Sequence, residues 1–170
     1  ISKSIDISSD STSLNGMKYC RNLTLNNSIK LKRFNFYGFT RLANVNLENM
    51  DSLEEVDFLN MTEVGQTSNL RYIGVSACPN MTTISMNVDN PNYEITWAND
   101  SILDLQTAGG VKNIYSNCII KGLNTILLPI TIENMYFTNK YGSGYSDIVN
   151  IWSPSSATVS KTGVYPVAYH

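Results

Sequence analysis

Acid–base and nucleophilic chemistry at neutral pH usually relies on histidine, and this chain has one, His170, at its final position. Chain ends are poorly held, so a Ser-His-Asp triad, a Cys-His pair, a histidine general base and a histidine-containing zinc site are not expected. Carboxylates are the remaining candidates. Glu54, Glu55 and Asp57 lie close together, as do Asp100 and Asp104, and a pair of carboxylates is what glycoside hydrolysis requires. Acidic residues at outward positions of a strand read instead as a solvated face. No neighbouring apolar pocket is implied that would raise one carboxyl pKa. The expectation is a chain that is not an enzyme, with a carbohydrate-active enzyme as a distant third reading.

Other motifs point the same way. No G-x-G-x-x-G or P-loop occurs, and Gly109-Gly110 and Gly142 to Gly144 read as turns. Asp89, Asn90 and Asn92 could offer oxygen ligands to an ion, but Asp and Asn before Pro91 read as a turn. Neither a metal nor a cofactor is expected. The three cysteines are an odd number without metal-ligand spacing. Cys20 and Cys78 fall where other segments carry Leu, Phe or Met, so they read as small buried hydrophobes, with Cys118 in a degraded segment. The N-x-[ST] triplets at Asn22, Asn26, Asn60, Asn80 and Asn99 follow from Asn-rich turns and matter only in a eukaryotic secretory pathway. Aromatic residues are the functional lead. Tyr37 and Tyr72 sit at outward positions, and Tyr141, Tyr145 and Trp152 lie near a glycine loop.

The elements that position these residues are repeats. Units of eleven residues begin at Leu31, Leu42 and Leu53, then at Leu70 and Met81, with a weaker copy at Cys20. Within each, positions 4 and 6 are apolar and position 5 is polar or Gly, the alternation of a short strand with one buried face. Position 8 is Gly38, Asn49, Asn60 or Ala77, suited to a bend, and position 9 turns back inward as Phe39, Met50, Met61 or Cys78. A strand and a bend use up eleven residues, so two units are needed to close a coil. The expected fold is mainly β with little helix, a leucine-rich-repeat-like solenoid of about 22 residues per coil. Residues 22 apart then become neighbours. Lys32 and Arg33 should face Glu54 and Glu55, and Asn35 should face Asp57.

At 170 residues with 42% hydrophobic content, the chain supports one domain. Residues 1–19 read as an N-terminal cap strand, 20–88 as regular repeats, 89–140 as degenerate repeats and 141–170 as a C-terminal cap or tail. Strand candidates in the later part are Ser101 to Gln106, Val111 to Tyr115, Asn117 to Lys121, Asn124 to Leu128, Ile130 to Phe137 and Asp147 to Trp152. A net charge of −2 gives no reason to expect nucleic acid as a partner. No stretch approaches the roughly 18 to 20 apolar residues that span a bilayer, so membrane insertion is not expected. The chain opens at Ile1 and is expected to be a fragment from which any signal peptide has been removed.

The nested form LANVNLENMDSLEEVDFLNM resembles bacterial leucine-rich repeats in which one coil has two similar halves. LRYIGVSACPNMTTISM, VDNPNYE and YSNCIIKGLNTILLP with ITIENMYF resemble repeat and connecting pieces of the BspA-like surface proteins. VNIWSPSSATVSKTGVYP resembles the ending of that family, with Trp152 and Ser153 replacing its usual Tyr and Val. The resemblance implies an extracellular or cell-surface protein used for binding or adhesion. A protein or glycan ligand is expected on a strand face comprising Arg33, Asn35, Tyr37, Asn44, Asn46 and Tyr72. The alternative is a phage tail or baseplate component of a virion, assembling with neighbouring domains or subunits through its aromatic C-terminal tail.

Overall fold

The computed structural model describes residues 2–4, 11–12, 20–35, 41–57, 70–86, 94–116, 119–137, 150–153, 160–162 and 167–169. Tyr37, Phe39, Met61, Cys118, Tyr141, Tyr145, the 142–144 glycine loop and the 89–92 turn lie outside the described residues. The described residues contain short strands and no helix. Numbered along the chain, the strands are β1 (Ser2–Ser4), β2 (Ser11–Thr12), β3 (Asn22–Asn26), β4 (Arg33–Asn35), β5 (Asn44–Glu48), β6 (Glu55–Asp57), β7 (Tyr72–Ser76) and β8 (Thr83–Met86). They continue as β9 (Glu94–Thr96), β10 (Ile102–Thr107), β11 (Asn113–Ser116), β12 (Ile119–Lys121), β13 (Thr125–Leu127), β14 (Asn134–Phe137), β15 (Asn150–Ser153), β16 (Ser160–Thr162) and β17 (Val167–Tyr169).

Two parallel sheets take these strands in alternation. One has eight strands in the order β1-β3-β5-β7-β10-β13-β15-β17, the other seven in the order β16-β14-β11-β8-β6-β4-β2. A two-stranded pair, β9 and β12, lies in the connections that return from the seven-stranded sheet to the eight-stranded one. The later turns of chain therefore carry a third strand, where two arms alone were expected. The stretch after Trp152, expected as cap or tail, includes β16 and β17, both paired in parallel with the strands before them.

Register follows the expected 22-residue offset in the early strands. Asn22 pairs with Asn44, Arg33 with Glu55 and Asn35 with Asp57. Arg33 Nε lies 3.5 Å from a Glu55 carboxylate oxygen, with side chains 72% and 44% exposed, so the pair contributes little to stability. Lys32 and Glu54 meet through the backbone, the Glu54 N–H donating to the Lys32 carbonyl at 2.8 Å.

The apolar positions of the repeat face one shared core. Position 1 supplies Leu31, Leu42, Leu53, Leu70 and Met81, and position 4 supplies Leu23, Phe34, Val45, Val56, Ile73 and Ile84, all buried. In the eight-stranded sheet Leu23, Val45, Ile73, Leu103 and Ile126 stack in register; Phe34, Val56, Ile84, Ile114 and Met135 do so in the other. Cys20 and Cys78 are buried thiols, as their repeat positions imply.

Position 8 makes the corner. Asn27, Asn49 and Ala77 have φ of 57°, 53° and 50°, the left-handed region that Asn tolerates and other side chains resist. Each turns its N–H onto the neighbouring strand: Asn27 to the Glu48 carbonyl, Asn49 to that of Ser76 and Ala77 to that of Thr107, at 2.8–3.1 Å. The next side chain then points inward as Ser28, Met50 or Cys78. Gly122, at φ 76°, faces Trp97 so closely that an added Cβ would stand 3.1 Å from the Trp97 carbonyl carbon and closer still to its oxygen.

Two substitutions test these corners by denaturant unfolding. Ala77→Gly should stabilise the fold by about 0.5–1 kcal/mol, because relief of the left-handed backbone exceeds the entropy glycine adds to the unfolded chain. Gly122→Ala should destabilise it by at least about 2 kcal/mol, since strain and overlap act together.

Candidate functional site

The outer face of the eight-stranded sheet is built from positions 3, 5 and 7 of alternate arms. On β3 these are Asn22, Thr24 and Asn26; on β5 Asn44, Asn46 and Glu48; on β7 Tyr72, Gly74 and Ser76. Neighbours stack by register, Asn44 beside Tyr72, Asn46 beside Gly74 and Glu48 beside Ser76. The Asn44 Nδ2 donates to Asn22 Oδ1 at 2.8 Å, a side-chain rung above the backbone ladder.

The face is interrupted at β7. Position 5, which carries Thr24 on β3 and Asn46 on β5, is Gly74 here, and the Tyr72 ring lies across the vacant place. An added Cβ on Gly74 would stand 2.6 Å from Tyr72 Cε1. The phenol reaches β10, where the Tyr72 hydroxyl donates to Asp104 Oδ2 at 3.4 Å. Asp104 also accepts from the Gln106 N–H at 3.1 Å, next to a register shift between Asp104 and Thr107 of the kind that re-aims side chains. A depression of about 60 Å³ results, lined by Asn46, Glu48, Tyr72, Gly74, Val75, Ser76, Asp104 and Thr107.

Its electrostatics are negative. Burial, then the charge of Asp104 and a hydrogen bond to it, then Glu48, push the Tyr72 phenol above its ordinary value of 10.0. The depression therefore presents two carboxylates, a phenol, an amide and two hydroxyls around one aromatic ring. Such groups hold hydrogen-bond donors and cations. Among the described residues no group of three or more His, Cys, Asp or Glu is disposed to hold a metal ion.

Of the residues expected to form one binding face, Asn44, Asn46 and Tyr72 come together on β5 and β7. Arg33 and Asn35 lie on β4, in the other sheet. Tyr37 lies outside the described residues. The single face anticipated from sequence is thus divided, because consecutive arms enter different sheets. The carboxylate groups divide as well. Glu55 faces Arg33, and Asp100 lies 3.6 Å from Arg71 Nη1 while Asp104 receives Tyr72. Glu48, Gly74, Ser76, Asp104 and Thr107 were not singled out as binding residues. The sequence signal was Gly74 alone, the one glycine at position 5 of a unit.

Comparison of the chain with protein-family models, with curated proteins and with solved structures gave no match.

The Tyr72 environment has a pH signature. Its folded pKa lies above the unfolded value, so its contribution to stability is complete below about pH 10 and is lost as pH rises through the folded value. Tyr72→Phe should remove one late component from a spectrophotometric tyrosine titration and reduce the loss of stability above that pH. Gly74→Ala, which displaces the ring from Asp104, should move the same component back toward the ordinary range; an unchanged titration would contradict the contact.

Proposed function

We propose that the chain is a leucine-rich-repeat-like solenoid, resembling the nested eleven-residue bacterial type and the BspA-like surface proteins, and acting as an extracellular, non-enzymatic binding module for a protein or glycan. The observation that carries this reading is the polar face of the eight-stranded sheet, which is broken by a depression at Tyr72. Parallel sheets are ordinarily covered on both faces. Here one face meets the core and the other carries Asn, Thr, Ser, Glu and Tyr side chains. Repeated strands hold such side chains at fixed spacing over an extended area, which suits recognition by surface. The alternation of strands between two sheets with an early 22-residue offset supports the solenoid. So does the return of apolar residues three apart at Val111 and Ile114, Leu123 and Ile126, and Ile132 and Met135.

The proposal is tested by comparing two composite variants for binding to whole cells and to a glycan array, with circular dichroism as the folding control. Asn44→Ala, Asn46→Ala and Tyr72→Ala together should weaken binding by about tenfold or more, the scale of one or two interface anchors. Arg33→Ala with Asn35→Ala, on the other sheet, should change it less than about twofold, as for solvated side chains remote from an interface. Undiminished binding by the first variant would sink the assignment to this face.

A further inference from the structure

We infer that the edge by which the chain enters the eight-stranded sheet binds a carboxylated polysaccharide, held by Arg21 and Arg71 alongside the rung that joins Asn22 to Asn44. This rests on the binding-face reading and narrows its ligand to an acidic glycan.

The first support is the distribution of charge. Six of the chain's twelve Lys and Arg lie within residues 11–47, which contain no Asp or Glu; six of its fourteen Asp and Glu lie within residues 48–63, which contain no Lys or Arg. On the edge that enters the seven-stranded sheet these two stretches compensate each other. Arg33 meets Glu55 there, and the Glu54 N–H bonds the Lys32 carbonyl. The edge that enters the eight-stranded sheet differs, because its ladder runs from Arg21 through the neutral Ala43 to Arg71. The Ala43 N–H donates to the Arg21 carbonyl at 2.7 Å and the Arg71 N–H to the Ala43 carbonyl at 2.8 Å. Arg41, exposed like Arg21 and Arg71, lies two residues before Ala43. Arg21 enters none of the ion pairs among the described residues. Asp100 lies 3.6 Å from Arg71 Nη1, with side chains 71% and 63% exposed, and an exposed pair of that length is weak enough to yield to a better-placed anion.

The second support is placement. Arg21-Asn22, Ala43-Asn44 and Arg71-Tyr72 take successive ladder places at the starts of β3, β5 and β7. The backbones of Arg21 and Arg71 are therefore two strand spacings apart, about 9.6 Å. That interval suits carboxylates on alternate sugars of an extended polysaccharide lying across the strands. A guanidinium presents a planar fork of N–H donors that matches a carboxylate. Next to the arginines, Asn44 Nδ2 donates to Asn22 Oδ1, and this leaves the Asn22 Nδ2 donors and the Asn44 Oδ1 acceptor for sugar hydroxyls. Cations and neutral amides thus run in parallel along one edge, the two kinds of group that an acidic glycan presents partners for.

The experiment is isothermal titration calorimetry with polygalacturonate and with the same polymer after reduction of its carboxyls to alcohols. The chain should bind the first and not the second, and raised salt should weaken the binding. Arg21→Gln and Arg71→Gln should each weaken it by up to about fivefold, the upper range for a partly exposed ion pair. Asp100→Asn, which releases Arg71, should strengthen it. Lys32→Gln with Arg33→Gln removes as much charge from the other edge as Arg21→Gln with Arg71→Gln, and should change binding less than about twofold. Circular dichroism checks the fold of each variant. Equal binding of the reduced polymer, no binding of polygalacturonate, or equal losses from the two double variants overturns the inference. Polyglutamate or polyuridylate bound as tightly as polygalacturonate also overturns it, in favour of an acidic protein or a nucleic acid. Failure of the face itself is read separately, from undiminished cell binding by the Asn44, Asn46 and Tyr72 composite variant.

Discussion

The inner side chain of each strand is covered by its counterparts on neighbouring strands and by the facing sheet, and no arm can supply that cover for itself. Leu23, Val45, Ile73, Leu103 and Ile126 form one such row, Phe34, Val56, Ile84, Ile114 and Met135 the other. Burying one such side chain contributes about 1.5–3 kcal/mol, whereas an exposed ladder pair such as Arg33 with Glu55 contributes at most about 1 kcal/mol. The rows therefore set the register and the ion pairs follow it. Turn-to-turn bonds reinforce the stacking at the edge: Asn80 Nδ2 donates to the Asp51 carbonyl at 2.6 Å and Thr131 Oγ1 to the Val111 carbonyl at 2.7 Å. Ser101, buried and polar, ties successive turns of chain together by donating to the Gly122 carbonyl at 3.1 Å.

The early part of this arrangement is legible in the sequence because three signals coincide there: Leu at position 1, apolar residues at 4 and 6, and Asn at 8. Asn49 shows why the third signal works, since a left-handed residue is needed at the corner and Asn accepts that backbone. Beyond Val88 the same physics persists with the signals out of step. Val111, Leu123 and Ile132 each precede a buried inward residue by three, but they are unevenly spaced, and β9 and β12 intervene. Trp97 fills the core with one large side chain near Leu70, where a Leu-to-Leu search finds nothing. At the far end Lys161 and Thr162 take ladder places beside Met135 and Tyr136, so pairing continues where the apolar pattern does not.

The site was legible only in part, for a related reason. Outward positions can be read from alternation, which identifies Asn44, Asn46 and Tyr72. Which outward residues share a face depends on how many strands one turn of chain contains. Grouping Arg33 and Asn35 with them overlooked the consequence of the two-arm coil, that adjacent arms diverge. Glu48 and Asp104 come to line one depression only through two longer offsets, from Asn44 to Tyr72 and from Tyr72 to Ile102. No local pattern encodes that placement.

The departures from the repeat gather around one strand. On β7 the position-5 polar residue gives way to Gly74, the corner Asn to Ala77, and the neighbouring β10 shifts register between Asp104 and Thr107. None of these favours stability: glycine weakens a strand interior, a left-handed alanine is strained, and an irregular ladder leaves groups unpaired. A chain selected only to stack would have continued Asn at positions 5 and 8, as it does at Asn46 and Asn49. Local rules are broken together where a structure serves something besides its own folding. The place where they are broken here is the place where Tyr72 crosses the sheet and donates to Asp104.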